Sequence, residues 1–355
     1  MDKKINSIQL ILAALLFFAV VYRVPTRVGE MRAWLEVFFE IAISLSLAAV
    51  IWNQNKYVSM FLILTTVSMF WPFYGRHSYL AGRAVFNGCL WFFLIVQYVN
   101  KVDVVLDAIC WIAIIHIFIA LIQVFEIESL VRVQRPTGLM SNPLELSGLS
   151  CFALPAFLRG KWMKWSWIPI IGVIVARQSI GAVAIGVGAV YYLSVVYGSR
   201  WFIWSVIIIV PTIILYVIFL DFPGITLRLY VWERAIMAWW QHPLTGAGIG
   251  HWKVIFNKPM KIDGCTWMTT HNEFLQMLFE TGALFIPICV GYFINIFRKI
   301  NKKSIIPAMA IVMISIHSAA WFPFHIAPTA MIAVTWLGIL TITLNKENLK
   351  CQMTM

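Results

Sequence analysis

Continuous apolar runs, each close to the length of a bilayer crossing, constrain this chain more than any other feature. A helix needs about 20 mostly apolar residues to cross the hydrocarbon of a membrane. Such runs recur about twelve times, at roughly 6–24, 34–52, 57–74, 79–99, 104–125, 144–158, 165–177, 180–198, 200–220, 273–297, 304–321 and 327–344. Apolar residues within a run are consecutive rather than alternating, which speaks against a membrane β-barrel. Composition agrees. The chain is 61% hydrophobic and 12% charged, where an ordinary globular domain is roughly a quarter charged. It reads as an all-α polytopic membrane protein with about twelve transmembrane helices. The sixth and seventh runs are short, so they are expected to tilt or to sit in protein instead of lipid.

The runs divide the chain into three parts. Residues 1–220 hold transmembrane helices one to nine, 221–272 form a long loop, and 273–355 hold helices ten to twelve and a tail. The first run follows Lys3 and Lys4 with no small-residue cleavage site behind it, so it reads as an uncleaved helix rather than a signal peptide. Six cysteines are scattered without a C-x-x-C pair, so neither a disulfide framework nor a metal site is expected.

The net charge is +12. In a soluble chain that would suggest nucleic acid. Here it reads as topology plus an anionic ligand, and no nucleic-acid partner is expected. With both termini cytoplasmic, eleven Lys and three Arg lie inside, and ten Arg and three Lys outside. Excluding the long loop, this satisfies the positive-inside rule. Topology selects for charge, not for guanidinium, whereas Arg suits bidentate grip on phosphate or carboxylate. The far side therefore reads as built to hold an anion, such as a phosphate-bearing lipid-linked substrate. The plainer alternative pairs those arginines with Glu30, Glu126, Glu128 and lipid head groups.

Four motifs could carry chemistry on that side. A helix is expected at about 226–241, capped by Thr226 and ended by His242-Pro243. Arg228, Trp232 and Ala235 share one face of it, with Arg234 about 120° away. Arg228 either points toward a lipid-linked diphosphate or snorkels from an interfacial anchor. Next comes Gly246-Ala247-Gly248-Ile249-Gly250-His251, whose amides could cradle phosphate, although a re-entry turn explains it more simply. Third is His271-Asn272. Asn272 can cap the following helix, and the helix dipole would keep the His271 imidazole neutral and able to act as general base. A surface cap residue is the plainer alternative. Last is Arg177-Gln178-Ser179, a polar hinge between apolar spans, where an Arg is costly unless paired or ligand-bound. Glu145, His116, His317 and His325 are weaker candidates.

These residues resemble the bacterial O-antigen ligase and polymerase superfamily, membrane glycosyltransferases of GT-C type. His271-Asn272, nine residues and then Gly282 follow the ligase pattern, with Phe285 departing at its last position. Arg228-x-x-x-Trp232, Pro243-Leu244-x-Gly246-x-Gly248 and the phrase NEFLQMLFETG also look like the family, and Arg177-Gln178-Ser179 is a looser match to its hinge. The resemblance covers about residues 170–290. It implies an inverting, metal-independent, cofactor-free transfer at the periplasmic face of the bacterial inner membrane. The donor would be an undecaprenyl-diphosphate-linked glycan, and the acceptor a sugar hydroxyl of lipid A-core. His271 would be the base and Arg177 and Arg228 the diphosphate ligands, with Arg234 a helper and Asn272, Trp232 and Gly282 in support. A polymerase adding the glycan to another lipid-linked repeat unit is the alternative. A transporter or lipid flippase shares the span count, but no repeat relates the halves and the arginines cluster at one face.

Overall fold

The computed structural model describes residues 42–68, 75–99, 101–125, 136–198, 203, 222–252, 260–262, 265–267, 269–301 and 303–353. The first expected span, 6–24, the second up to residue 41, and all of the ninth except residue 203 lie outside them.

The described chain runs through α1 (Ala42–Trp52), α2 (Lys56–Ser68), α3 (Gly75–Tyr98), α4 (Val102–Val124), α5 (Pro143–Phe157), α6 (Trp167–Ala176) and α7 (Ser179–Tyr197). After these come α8 (Phe222–Trp239), two three-residue strands, α9 (Glu273–Thr281), α10 (Phe285–Phe297), α11 (Ile305–Ser318) and α12 (Ala327–Met353). Four of these helices contain segments long and apolar enough to cross a membrane: Leu80–Tyr98, Val102–Val124, Ser179–Tyr197 and Ala327–Asn345. Apolar side chains such as Trp111, Ile115 and Phe118 point outward from α4, as a lipid-facing helix requires.

The short sixth span is explained by its surroundings. Every residue of α5 from Leu144 to Phe157 is buried, because α4, α6, α7, α11 and α12 all pack on it. A helix wrapped by protein need not match the thickness of the bilayer. Asn142 caps its start, accepting the Leu144 N–H at 2.9 Å, and Pro143 occupies the first turn, where a missing N–H costs nothing. Small residues let the neighbours close in. Gly172 on α6 faces Ser150 and Ile117, and Gly181 on α7 faces Ser147. At the far end of α5, Arg159 bridges Asp103 at 2.7 Å and also pairs with Asp107. A second apolar cluster joins α1, α2, α3 and α12 through Ile51, Leu62, Phe92 and Val334.

One expectation is corrected. The tenth span, 273–297, is not one helix but two, broken at Gly282. The loop also carries, beyond the expected helix, a short ribbon: Met260–Ile262 and Cys265–Trp267 pair antiparallel, Met260 opposite Trp267.

Candidate active site at the start of α9

The site is built where α8, the glycine-rich turn, α9 and the turn after α11 converge. Helix α8 begins at Phe222, earlier than expected, and Thr226 lies within it rather than capping it. Its inner face, Val231 and Ala235, packs with Ala247, Trp252 and Phe279 in one buried cluster. The 100° step per residue puts Arg228 and Trp232 on this same side. Trp232 donates its indole N–H to the Thr270 carbonyl at 2.9 Å. The face expected from spacing therefore points at the residue preceding His271.

His271 sits in a pinned turn. Its φ is +52°, in the left-handed region, which costs a non-glycine residue about 1–3 kcal/mol. The neighbours hold it there. The Thr270 hydroxyl donates to the Asn272 carbonyl at 2.6 Å and accepts the Asn272 N–H at 3.2 Å. The Thr270 N–H reaches the Gln276 side-chain oxygen at 3.2 Å. Asn272 caps α9 as expected, accepting the Leu275 N–H at 3.0 Å. The imidazole stands edge-on to Phe322, ring centres 4.8 Å apart. Burial first, and then the nearby positive charge of Arg228, push the His271 imidazole down to about 4. It is therefore neutral at physiological pH. Neutrality was expected from the helix dipole; desolvation and the guanidinium are the causes.

The first three amides of the glycine turn are taken within the protein. Gly246 N–H donates to His242 O at 2.8 Å, Ala247 N–H to Phe279 O at 2.8 Å, and Gly248 N–H to Glu280 O at 2.9 Å. The phosphate-cradle reading is corrected on this ground, and the re-entry turn stands. The turn docks onto the C-terminus of α9 because Gly246 and Gly282 permit backbone-to-backbone approach. A Cβ on Gly246 would come within 2.5 Å of the Glu280 backbone and the Gly282 nitrogen. The nine residues between Asn272 and Gly282 are thus one short helix, capped at both ends.

Arg177 caps α6 in a left-handed conformation, φ +50°, and is exposed. The facing pairs Gly172–Ser150 and Gly181–Ser147 put its hinge beside the N-terminal half of α5. His317 and Trp321 reach the same end of α5, close to Gly148. The hinge is therefore level with the His271 turn, whose Glu273 N–H donates to Trp321 O at 3.2 Å. Arg234 is placed differently. It lies on the exposed face of α8, donating to the Tyr230 hydroxyl at 2.7 Å and covering its ring at 5.1 Å.

Several residues escaped the sequence reading. Glu273, Gln276 and Glu280 line the buried side of α9, and their i, i+3, i+7 spacing was the available signal. Gln276 donates to Glu280 at 3.1 Å and meets His325 Nε2 at 3.3 Å. His325 Nδ1 lies 3.2 Å from Glu273. Glu145, one of the weaker candidates, accepts from the Ser141 hydroxyl at 2.7 Å. A cavity of about 290 Å³ opens beside Glu273, Glu280 and His325 and descends between α2, α3, α10, α11 and α12, walled by Phe61, Phe92, Phe285, Tyr292 and Leu337.

The fold and site define a polytopic helical membrane protein with a neutral histidine, near Arg228, on the turn that precedes α9. Residues 165–284 match the family model described as O-antigen ligase, and the match places this segment in the O-antigen ligase and polymerase superfamily. It contains His271, Arg177, Arg228 and Arg234, whereas the weaker candidates Glu145, His116, His317 and His325 lie outside it. The family implies glycosyltransferase-like activity in polysaccharide biosynthesis, on lipid-linked glycan substrates. No curated protein matches the chain.

Proposed function

We propose that this protein is an O-antigen ligase, moving a preassembled glycan from undecaprenyl diphosphate to a sugar hydroxyl of lipid A-core at the periplasmic face of the inner membrane. The observation that carries the proposal is His271, neutral and held rigidly beside Arg228. A sugar hydroxyl needs a base, and a diphosphate leaving group needs positive charge rather than a proton donor. The hydroxyl oxygen attacks the anomeric carbon as its proton passes to His271. The anomeric C–O bond to the diphosphate breaks, and the electron pair leaves with undecaprenyl diphosphate. One in-line displacement inverts the anomeric centre. Arg228 and Arg177 hold the diphosphate, and Arg234 acts at the rim. With guanidinium groups supplying the countercharge, the step needs no metal. Trp232, Asn272 and Gly282 serve by fixing the turn and the helix that carry the base. The apolar cavity beside α9 supports a lipid-linked substrate.

Polymerase activity on a second lipid-linked repeat unit is the alternative, kept open by Phe285 standing where the ligase pattern has Gly, Thr or Tyr. The lipopolysaccharide ladder of a strain lacking the gene separates them. Core without any O-chain, with long chains retained on undecaprenyl diphosphate, identifies the ligase. Core carrying a single repeat unit identifies the polymerase. A normal ladder contradicts both.

A further inference from the structure

His325 lies 54 residues beyond His271, outside the segment that matches the family, yet it closes a directional hydrogen-bond chain onto the His271 turn. The direction follows from Gln276. Its side-chain oxygen accepts the Thr270 N–H at 3.2 Å, and its amine donates to Glu280 Oε1 at 3.1 Å. The amine therefore faces His325 Nε2, 3.3 Å away, as a donor. His325 Nε2 must accept, which leaves the ring proton on Nδ1, directed at the Glu273 carboxylate 3.2 Å away. Turning the Gln276 amide over would set its amine against the Thr270 N–H and its oxygen against Glu280. One tautomer and one amide orientation satisfy the chain.

This chain links the two turns that enclose His271. Thr270, held by Gln276, immediately precedes the strained His271. His325 ends the short helix Pro323–His325, just after Phe322, the ring that stands against His271. Thr329 ties that helix to α12 by donating to the Pro323 carbonyl at 2.7 Å.

We propose that His325 is a positioning residue: as the neutral Nδ1–H tautomer it locks the Thr270 and Phe322 turns around His271, and its protonation unlocks them. An imidazolium would aim Nε2–H at the Gln276 amine. Gln276 must then rotate, releasing the Thr270 N–H and the carboxylate of Glu280. Among the described residues, the ionisable groups facing His325 are Glu273, in direct contact, and Glu280, which senses its charge. The Glu273 carboxylate favours protonation, and Gln276 opposes it. The step couples that protonation to the geometry of the base. It rests on the reading of His271 as that base.

Two measurements test it. The first needs no activity. Histidine-selective nitrogen-15 spectra of the purified full chain in detergent resolve seven histidines, and the resonance missing in His325→Asn belongs to His325. A neutral ring protonated at Nδ1 at neutral pH is expected. An Nε2–H tautomer or an imidazolium there overturns the proposal. The second is transfer from extracted lipid-linked glycan in proteoliposomes. His325→Ala should lower kcat by about 10- to 100-fold with donor KM unchanged. His325→Asn, whose amide can still donate to Glu273, should restore most of the rate. Its acid limb should move down toward the titration of His271, at about 4. An unchanged pH profile in His325→Asn, or full activity in His325→Ala when His271→Ala is dead, overturns the proposal. Should His271→Ala also stay active, the base assignment falls instead, and the tautomer alone decides the network.

Discussion

Replacing Gly282 by Ala tests the corner at which α9 ends. Gly282 has φ 76° and ψ −172°, a region open essentially to glycine alone, where another residue costs about 1–3 kcal/mol. A Cβ there would also run into the Leu244 carbonyl and come within 2.6 Å of the Gly246 nitrogen. These are backbone atoms and cannot swing aside. The two turns must part, at about 1–3 kcal/mol more. Gly198 is the control. Its φ of 87° and ψ of −177° fall in the same region, but a Cβ there meets nothing within 4 Å. Gly282→Ala should therefore be the more destabilised by about 1–3 kcal/mol. Thermal unfolding in detergent, followed with a thiol-reactive fluorophore, reads this directly, because Cys89, Cys110 and Cys151 are free and buried. Gly282→Ala should also slow transfer by shifting α9, whereas Gly198→Ala should transfer normally once folded. Equal losses of stability in the two variants would refute the close-approach argument.

Two further outcomes follow from the same turn. Trp232→Phe keeps the ring but removes the donor to Thr270. It should cost about 1 kcal/mol of stability and lower kcat for transfer with donor KM unchanged; a rise in KM alone would mean that Trp232 binds substrate instead. His271 titrates at about 4 in the folded chain, against about 6.5 when unfolded. The unfolded chain takes up the proton first. This group therefore leaves stability untouched above about 6.5 and lowers it as pH falls from there toward 4. Thermal unfolding should decline more steeply with acid in wild type than in His271→Gln, and parallel curves would contradict the buried, Arg228-facing environment.

Local chemistry was legible in the sequence, and long-range partnership was not. Asn272 as cap needs only the residue and its neighbours. The common face of Arg228 and Trp232 needs only the helical step, and the shortness of α5 shows in its run length. The break at Gly282 was hidden because hydropathy continues across it, and the φ it adopts is set by Leu244 and Gly246, some forty residues back. Glu273, Gln276 and Glu280 read as ordinary polar residues of an amphipathic helix until His325 arrives from beyond α11. The phosphate cradle at Gly246 to Gly250 failed for a similar reason: the Ala247 and Gly248 amides are taken by carbonyls of α9, and the Gly246 amide by His242. The ribbon in the loop did carry a signal, Asp263-Gly264, between the strand residues.

The central claim is that His271 does chemistry rather than binding. The most direct test is the transfer rate of His271→Gln, measured beside donor binding, with extracted undecaprenyl-diphosphate-linked glycan. The account predicts a kcat lowered by about 10²- to 10⁴-fold, with donor affinity and thermal stability near wild type. A His271→Gln protein that transfers within tenfold of wild type contradicts it.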